Sequence, residues 1–112
     1  MNRVLYRVEH FLGSTNAEGW NKDEAAKWIR KAAEQGMFPA HYNLGVMYYK
    51  GQGVSKDYVL AHMWFDLAGA YGMSEASNLR DQLAKEMPRE QIARAQKMAQ
   101  EWKQKHQMQV QY

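Results

Sequence analysis

The feature that most constrains this chain is its self-similarity. Residues 25–40 laid over residues 61–76 match at Ala25 and Ala61, Trp28 and Trp64, Ala32 and Ala68, Gly36 and Gly72, and Ala40 and Ala76, always 36 positions apart. These five identities within one window of 16 residues, one of them a tryptophan, are hard to produce by chance. A fixed period of this size marks an architecture of stacked units, none of which buries its apolar face alone. The period extends with decay. Shifted back by 36, Tyr42 falls on Tyr6, Leu44 on Val8, Met47 on Phe11 and Tyr48 on Leu12. Forwards, Ala-x-x-Trp returns as Ala99 and Trp102 at an offset of 38, with two extra residues near Met87-Pro88 to account for the slip.

Each unit reads as two helices. Between Pro39 and Lys50, Ala40, Leu44, Met47 and Tyr48 fall on one helical face. Gly51-Gln52-Gly53 ends that helix, and Asp57 is placed to cap the next. Tyr58 to Tyr71 carries Leu60, Ala61, Trp64, Phe65 and Ala68 as a stripe and stops at Gly72. The same reading gives helices over Asn21–Gln35, closed by Gly36, over Ser74–Glu86, and from about Arg89 to His106. Met87-Pro88 breaks the last two apart, because a residue before proline avoids helical geometry. With a half-unit at Met1–Leu12, about six helices are expected and no strand. The fold class is all-α, a solenoid of helix-turn-helix repeats.

Small residues at Ala25, Ala61 and Ala68 suit close helix approach. Gly45 costs about 1 kcal/mol in a helix interior relative to alanine, so a tight crossing there is expected. The recurring Trp28, Trp64 and Trp102 are expected in the core, whereas Trp20, out of register, either staples the following helix or is exposed. The expected organisation is one domain over 1–106, with a degenerate half-unit at 1–20, core repeats at 21–76 and capping helices at 77–106. Residues 107–112 are expected to form a flexible tail, with extension of the last helix or pairing with another copy as alternatives.

Composition narrows the function classes. The absence of cysteine removes disulfides and thiolate zinc sites. His10, His41, His62 and His106 show no metal-ligand spacing, so no metal and no cofactor is expected. No cysteine nucleophile, serine elbow or phosphate loop is present, so no catalysis is expected. No apolar run reaches the roughly 20 residues of a membrane span. Arg3, Arg7, Glu9 and His10 interrupt the first segment, so the chain as written reads as cytoplasmic, or periplasmic if a signal has been removed ahead of it. The net charge of +3 resides entirely from Arg89 onward, where five basic residues face two acidic ones.

The run Ala40-x-x-x-Leu44-Gly45-x-x-Tyr48-x-x-Gly51-x-Gly53-Val54-x-x-Asp57-x-x-x-Ala61-x-x-Trp64-x-x-x-Ala68-x-x-x-Gly72 resembles the Sel-one-like repeat, a relative of the tetratricopeptide repeat with a longer inter-helix loop. Ala25, Trp28 and Lys31–Gly36 are similar to the second helix of another copy. The resemblance is strong over Asn21–Ala76, departs at Gly69, where the family usually carries alanine, and is weak outside that span. The closing stretch is similar to the terminal capping copy of bacterial members. The resemblance implies a right-handed superhelix whose concave side is lined by the first helix of each pair. It also implies an adaptor or scaffold role. By that analogy Leu44, Gly45 and Tyr48 face the core, whereas Tyr42, Val46, Tyr49 and Lys50 face the groove, with Tyr6 and His10 one period earlier and Asn78, Gln82 and Lys85 one period later. The expected partner is another protein or peptide held there. Self-association is the alternative, and nucleic-acid binding through the basic last helix is the less favoured one. No membrane partner is expected.

Overall fold

The computed structural model describes the backbone of residues 22–110 and the side chains of 23–106. Among these residues all regular structure is helical: α1 (Lys22–Glu34), α2 (Phe38–Lys50), α3 (Tyr58–Ala70), α4 (Ser74–Ala84) and α5 (Arg89–Val110). The half-unit at Met1–Leu12 and Trp20 lie outside the described residues. The last helix runs to Val110, past the expected end near His106 and into the segment expected to be a flexible tail.

The helix ends follow the local chemistry. The Asp57 Oδ1 accepts the backbone N–H of Leu60 at 3.1 Å and so caps α3, satisfying one of the donors every helix start leaves open. Gly51 ends α2 with φ +70, where a side chain would be strained, and its N–H and that of Gln52 both reach the Met47 carbonyl at 2.7 and 3.0 Å. The repeat is visible in the hydrogen bonds themselves. The Met37 N–H donates to Ala32 and the Met73 N–H to Ala68, each at 3.2 Å, and the partners are again 36 residues apart.

The helix α3 is the centre of the molecule and packs against α2, α4 and α5, while α1 packs on α2. Its two sides serve two cores. Met63, Trp64 and Leu67 join Ala26, Ile29, Ala33, Leu44, Met47 and Ala99 in the first. Ala61, Phe65 and Ala68 join Ala76, Leu83 and Met87 in the second. Each fully buried leucine or phenylalanine in such a core stabilises by about 1.5–3 kcal/mol. The small residues have clear neighbours. A Cβ on Gly45 would stand 2.7 Å from the Phe65 ring carbons Cδ1 and Cε1, and a Cβ on Gly69 would run into the Ser77 Oγ. The departure at Gly69 therefore has a steric reason: α4 approaches too closely for alanine.

The tryptophans divide. Trp64 is 7% exposed, but Trp28, expected in the core, is 48% exposed and carries Lys31 Nζ 5.7 Å above its ring. The repeat gives both the same position, but only Trp64 has α5 packed over it. Trp102 supplies that cover rather than repeating the role of Trp64. Its ring meets Trp64 edge-on at 6.1 Å and His41 at 4.9 Å. His106, stacked on Trp102 at 3.5 Å, places Nε2 2.9 Å from the Glu34 carbonyl and so ties α5 to the end of α1.

Candidate functional site

A groove of about 300 Å³ lies between α2 and α4. One wall is Tyr42, Val46, Tyr49 and Lys50, spaced i, i+4, i+7, i+8 along α2, which is one helical face. The other is Glu75, Leu79, Gln82 and Leu83 of α4, continued by Glu86 just beyond its end. Phe65 of α3 forms the floor. The floor exists because Gly45 has no side chain: the Phe65 ring occupies the volume a Cβ would need.

The two walls are joined at one end. The Tyr42 hydroxyl donates to Glu75 Oε1 at 3.2 Å, and the Tyr42 ring lies 6.0 Å from Phe65. Burial, and then the Glu75 carboxylate with its hydrogen bond, hold the Tyr42 hydroxyl above the usual phenol range, so it stays protonated and donating. Tyr49 stacks on Tyr58 at 5.6 Å, and Lys56 Nζ sits 5.2 Å over the Tyr58 ring. Three groove residues carry formal charge: Glu75, Glu86 and Lys50. Among the described residues no ion pair joins them, the close pairs being those of Arg80 with Asp66 at 2.7 Å and Asp81 at 3.0 Å.

The structure brings together Tyr42, Val46, Tyr49, Lys50 and Gln82. Leu44 and Gly45 are buried, and Tyr48 is half-buried between the two cores with its hydroxyl accepting from Arg30 at 3.1 Å. Asn78 on α4 and Lys85 just past its end do not line the groove; both are exposed elsewhere. Tyr6 and His10 lie outside the described residues. The reason for the misplacement is geometric. Shifting α2 by one period reaches Gln82 from Val46 and Glu86 from Lys50, both in the wall, but also Asn78 and Lys85, which are not, because a wall that faces α2 is turned back toward it. The full stripe Glu75, Leu79, Gln82, Glu86 was present in the sequence as i, i+4, i+7, i+11, and period-shifting reaches only its second half.

Among the described histidines, His41 and His62 are packing residues. His41 is fully buried against Trp64 and Trp102, and its Nε2–H donates to the Ala33 carbonyl at 2.8 Å. Burial lowers its pKa to about 4, so the ring is neutral at pH 7. His62, also buried, is lowered for the same reason, against the nearby Asp66. Among the described residues no group of three or more histidine, aspartate or glutamate side chains is arranged to hold a metal ion, and no helix is long and apolar enough to cross a membrane.

Comparison with known proteins places these helices. Over 75 residues, 67% of this chain, it is 33% identical to chitin synthase regulatory factor 3 of Schizosaccharomyces pombe, of which the match covers 8%. The crystal structure of a protective antigen present in uropathogenic Escherichia coli strains, displaying an SLR fold, superposes with a TM-score of 0.70 and 38% identity, over 73% of this chain and 18% of that one. The chain thus spans less than a fifth of either relative. The Sel1 repeat pattern matches residues 9–37 and 39–70, more than half of the chain, and its second match ends with α3, whose Trp64 and Ala68 carry the internal repeat. The helix pairs and these matches agree: the chain belongs to the Sel1 repeat family.

Proposed function

We propose that this chain is a non-catalytic adaptor that holds a segment of a partner protein between α2 and α4. Sel1 repeats are generally protein-interaction modules and are typically non-catalytic. The Schizosaccharomyces pombe relative is named a chitin synthase regulatory factor. The observation that carries the reading is the groove itself. The helices α2 and α4 flank an apolar floor with tyrosine, glutamine and charged side chains along its rim, the composition of a recognition surface with an anchoring centre and a polar edge.

Site-specific photocross-linking tests it. A cross-linking amino acid at Gln82 should capture a protein partner in cells, and the same group at Lys97 on α5 should not. The Tyr42→Ala, Tyr49→Ala double variant should lose the Gln82 adduct while retaining its helical circular dichroism. An adduct at Lys97 alone, or one indifferent to the two tyrosines, would remove the groove from the mechanism.

A further inference from the structure

We infer that the segment this groove takes is basic: an extended stretch of another protein with an apolar side chain flanked by two lysines or arginines about five positions apart. The inference rests on the groove reading above and adds the chemistry of the occupant. It begins from a contrast in sign. The chain as a whole carries +3, yet its groove holds two carboxylates against one ammonium. Those carboxylates are Glu75 and Glu86, one at each end of the α4 wall. Lys50, the single cation, sits in the last turn of α2, where the helix carbonyls already favour it. Glu75 Oε1 accepts from Tyr42, which fixes the carboxylate at the rim and leaves Oε2 for an incoming donor. Among the described residues, neither Glu75 nor Glu86 has an ion-pair partner.

Geometry sets the spacing. Eleven residues separate Glu75 from Glu86, about 16 Å at the rise of a helix. An extended peptide covers that distance in about five residues. The middle of such a segment lies over Val46, Leu79, Leu83 and the Phe65 floor, which accept an apolar side chain and offer nothing to a charged one. The tyrosines strengthen the preference for cations, because the negative faces of aromatic rings attract them. A contact of this kind already stands beside the groove, where the Lys56 ammonium lies over the Tyr58 ring on which the groove residue Tyr49 stacks. An acidic segment would set its charge against Glu75 and Glu86, a mismatch that disfavours it.

Selection from a random peptide library displayed on phage, panned against the full chain at low salt, tests this. Three proteins are compared: the native chain, the Glu75→Gln, Glu86→Gln variant and the Tyr42→Ala, Tyr49→Ala variant. Glutamine keeps the shape of the wall and an acceptor for Tyr42 but removes both charges. Peptides won by the native chain should be enriched in lysine or arginine on either side of an apolar residue. Synthetic versions should bind the glutamine variant about five- to tenfold more weakly. They should also lose most of their charge-dependent affinity in 0.5 M salt. Peptides that need Tyr42 and Tyr49 but show no basic enrichment would overturn the charge assignment and leave the groove standing. Peptides indifferent to the tyrosines would overturn both. Self-association of the chain that vanishes in the glutamine variant would put the basic α5 of a second copy in the groove and likewise overturn the assignment of another protein.

Discussion

The two sides of α3 are built from the same thirteen residues and end up doing opposite things. On one side Met63, Trp64 and Leu67 meet α1, α2 and α5 in a sealed core, with Trp102 laid across Trp64 as its lid. On the other, Ala61, Phe65 and Ala68 face α4 in a core whose upper layer, Val46, Tyr42 and Leu79, is only half-buried and opens into the groove. The difference lies in side-chain size. Large residues keep neighbouring helices apart and fill the space between them. Alanine and glycine let α4 come close at its base, and the walls then leave a channel above that contact. A repeat unit can therefore hold a stable core and an open recognition surface on a single helix, provided bulk and smallness are assigned to opposite faces.

The largest expected effect comes from removing the lidded ring. Trp64→Ala should destabilise the fold by about 3–5 kcal/mol, the usual cost of emptying a tryptophan site in a sealed core. The register-equivalent Trp28→Ala should cost about 1 kcal/mol or less, since half of that ring already faces water. Urea unfolding of the two variants measures the difference directly. Equal losses would mean that the two positions share one environment and that the comparison is wrong.

The sealed side also carries a pH dependence. The His41 ring takes up its proton near pH 6.5 in the unfolded chain but only near about 4 in the folded one, because burial disfavours the charged form. Between those values the unfolded state binds more protons, so stability is complete above pH 6.5 and falls as the pH is lowered toward 4, by up to about 3 kcal/mol. Buried His62 shifts in the same direction and adds to the slope. His41→Gln, which keeps an N–H for the Ala33 carbonyl but does not titrate, should flatten much of it. A wild-type unfolding midpoint that stays constant from pH 7 to 4.5 would contradict this account.

The open side responds to a smaller change. Gly45→Ala gains about 1 kcal/mol of helix propensity but places a methyl against the Phe65 ring, and overpacking of this kind costs about 1–3 kcal/mol. A net loss of about 1 kcal/mol is expected. The more telling readout is Phe65 itself, whose ring resonances and those of Leu79 and Leu83 should shift while the Trp64 indole stays put. A shift spread equally over both cores would show that they are not separable.

Much of this was legible in the residues alone. The 36-residue period, the glycines that stop α2 and α3 and the Asp57 cap are all written in the order of residues along the chain. A stop signal, a cap or a periodic stripe acts within a turn or two of its own helix, so the sequence determines it without knowledge of the neighbours. What a residue faces is decided by which helix comes to rest on it. Trp28 and Trp64 read alike and differ because α5 covers only one of them. Asn78 and Lys85 share the register of Tyr42 and Tyr49 yet do not line the channel, whereas Glu75, Leu79 and Leu83, outside that register, do, because two helices lining one channel must turn toward each other. The sequence by itself determined the helices and their repetition. The tertiary structure alone decided which faces are sealed and which remain open, since burial depends on the arrangement of neighbours and not on the residue that is buried.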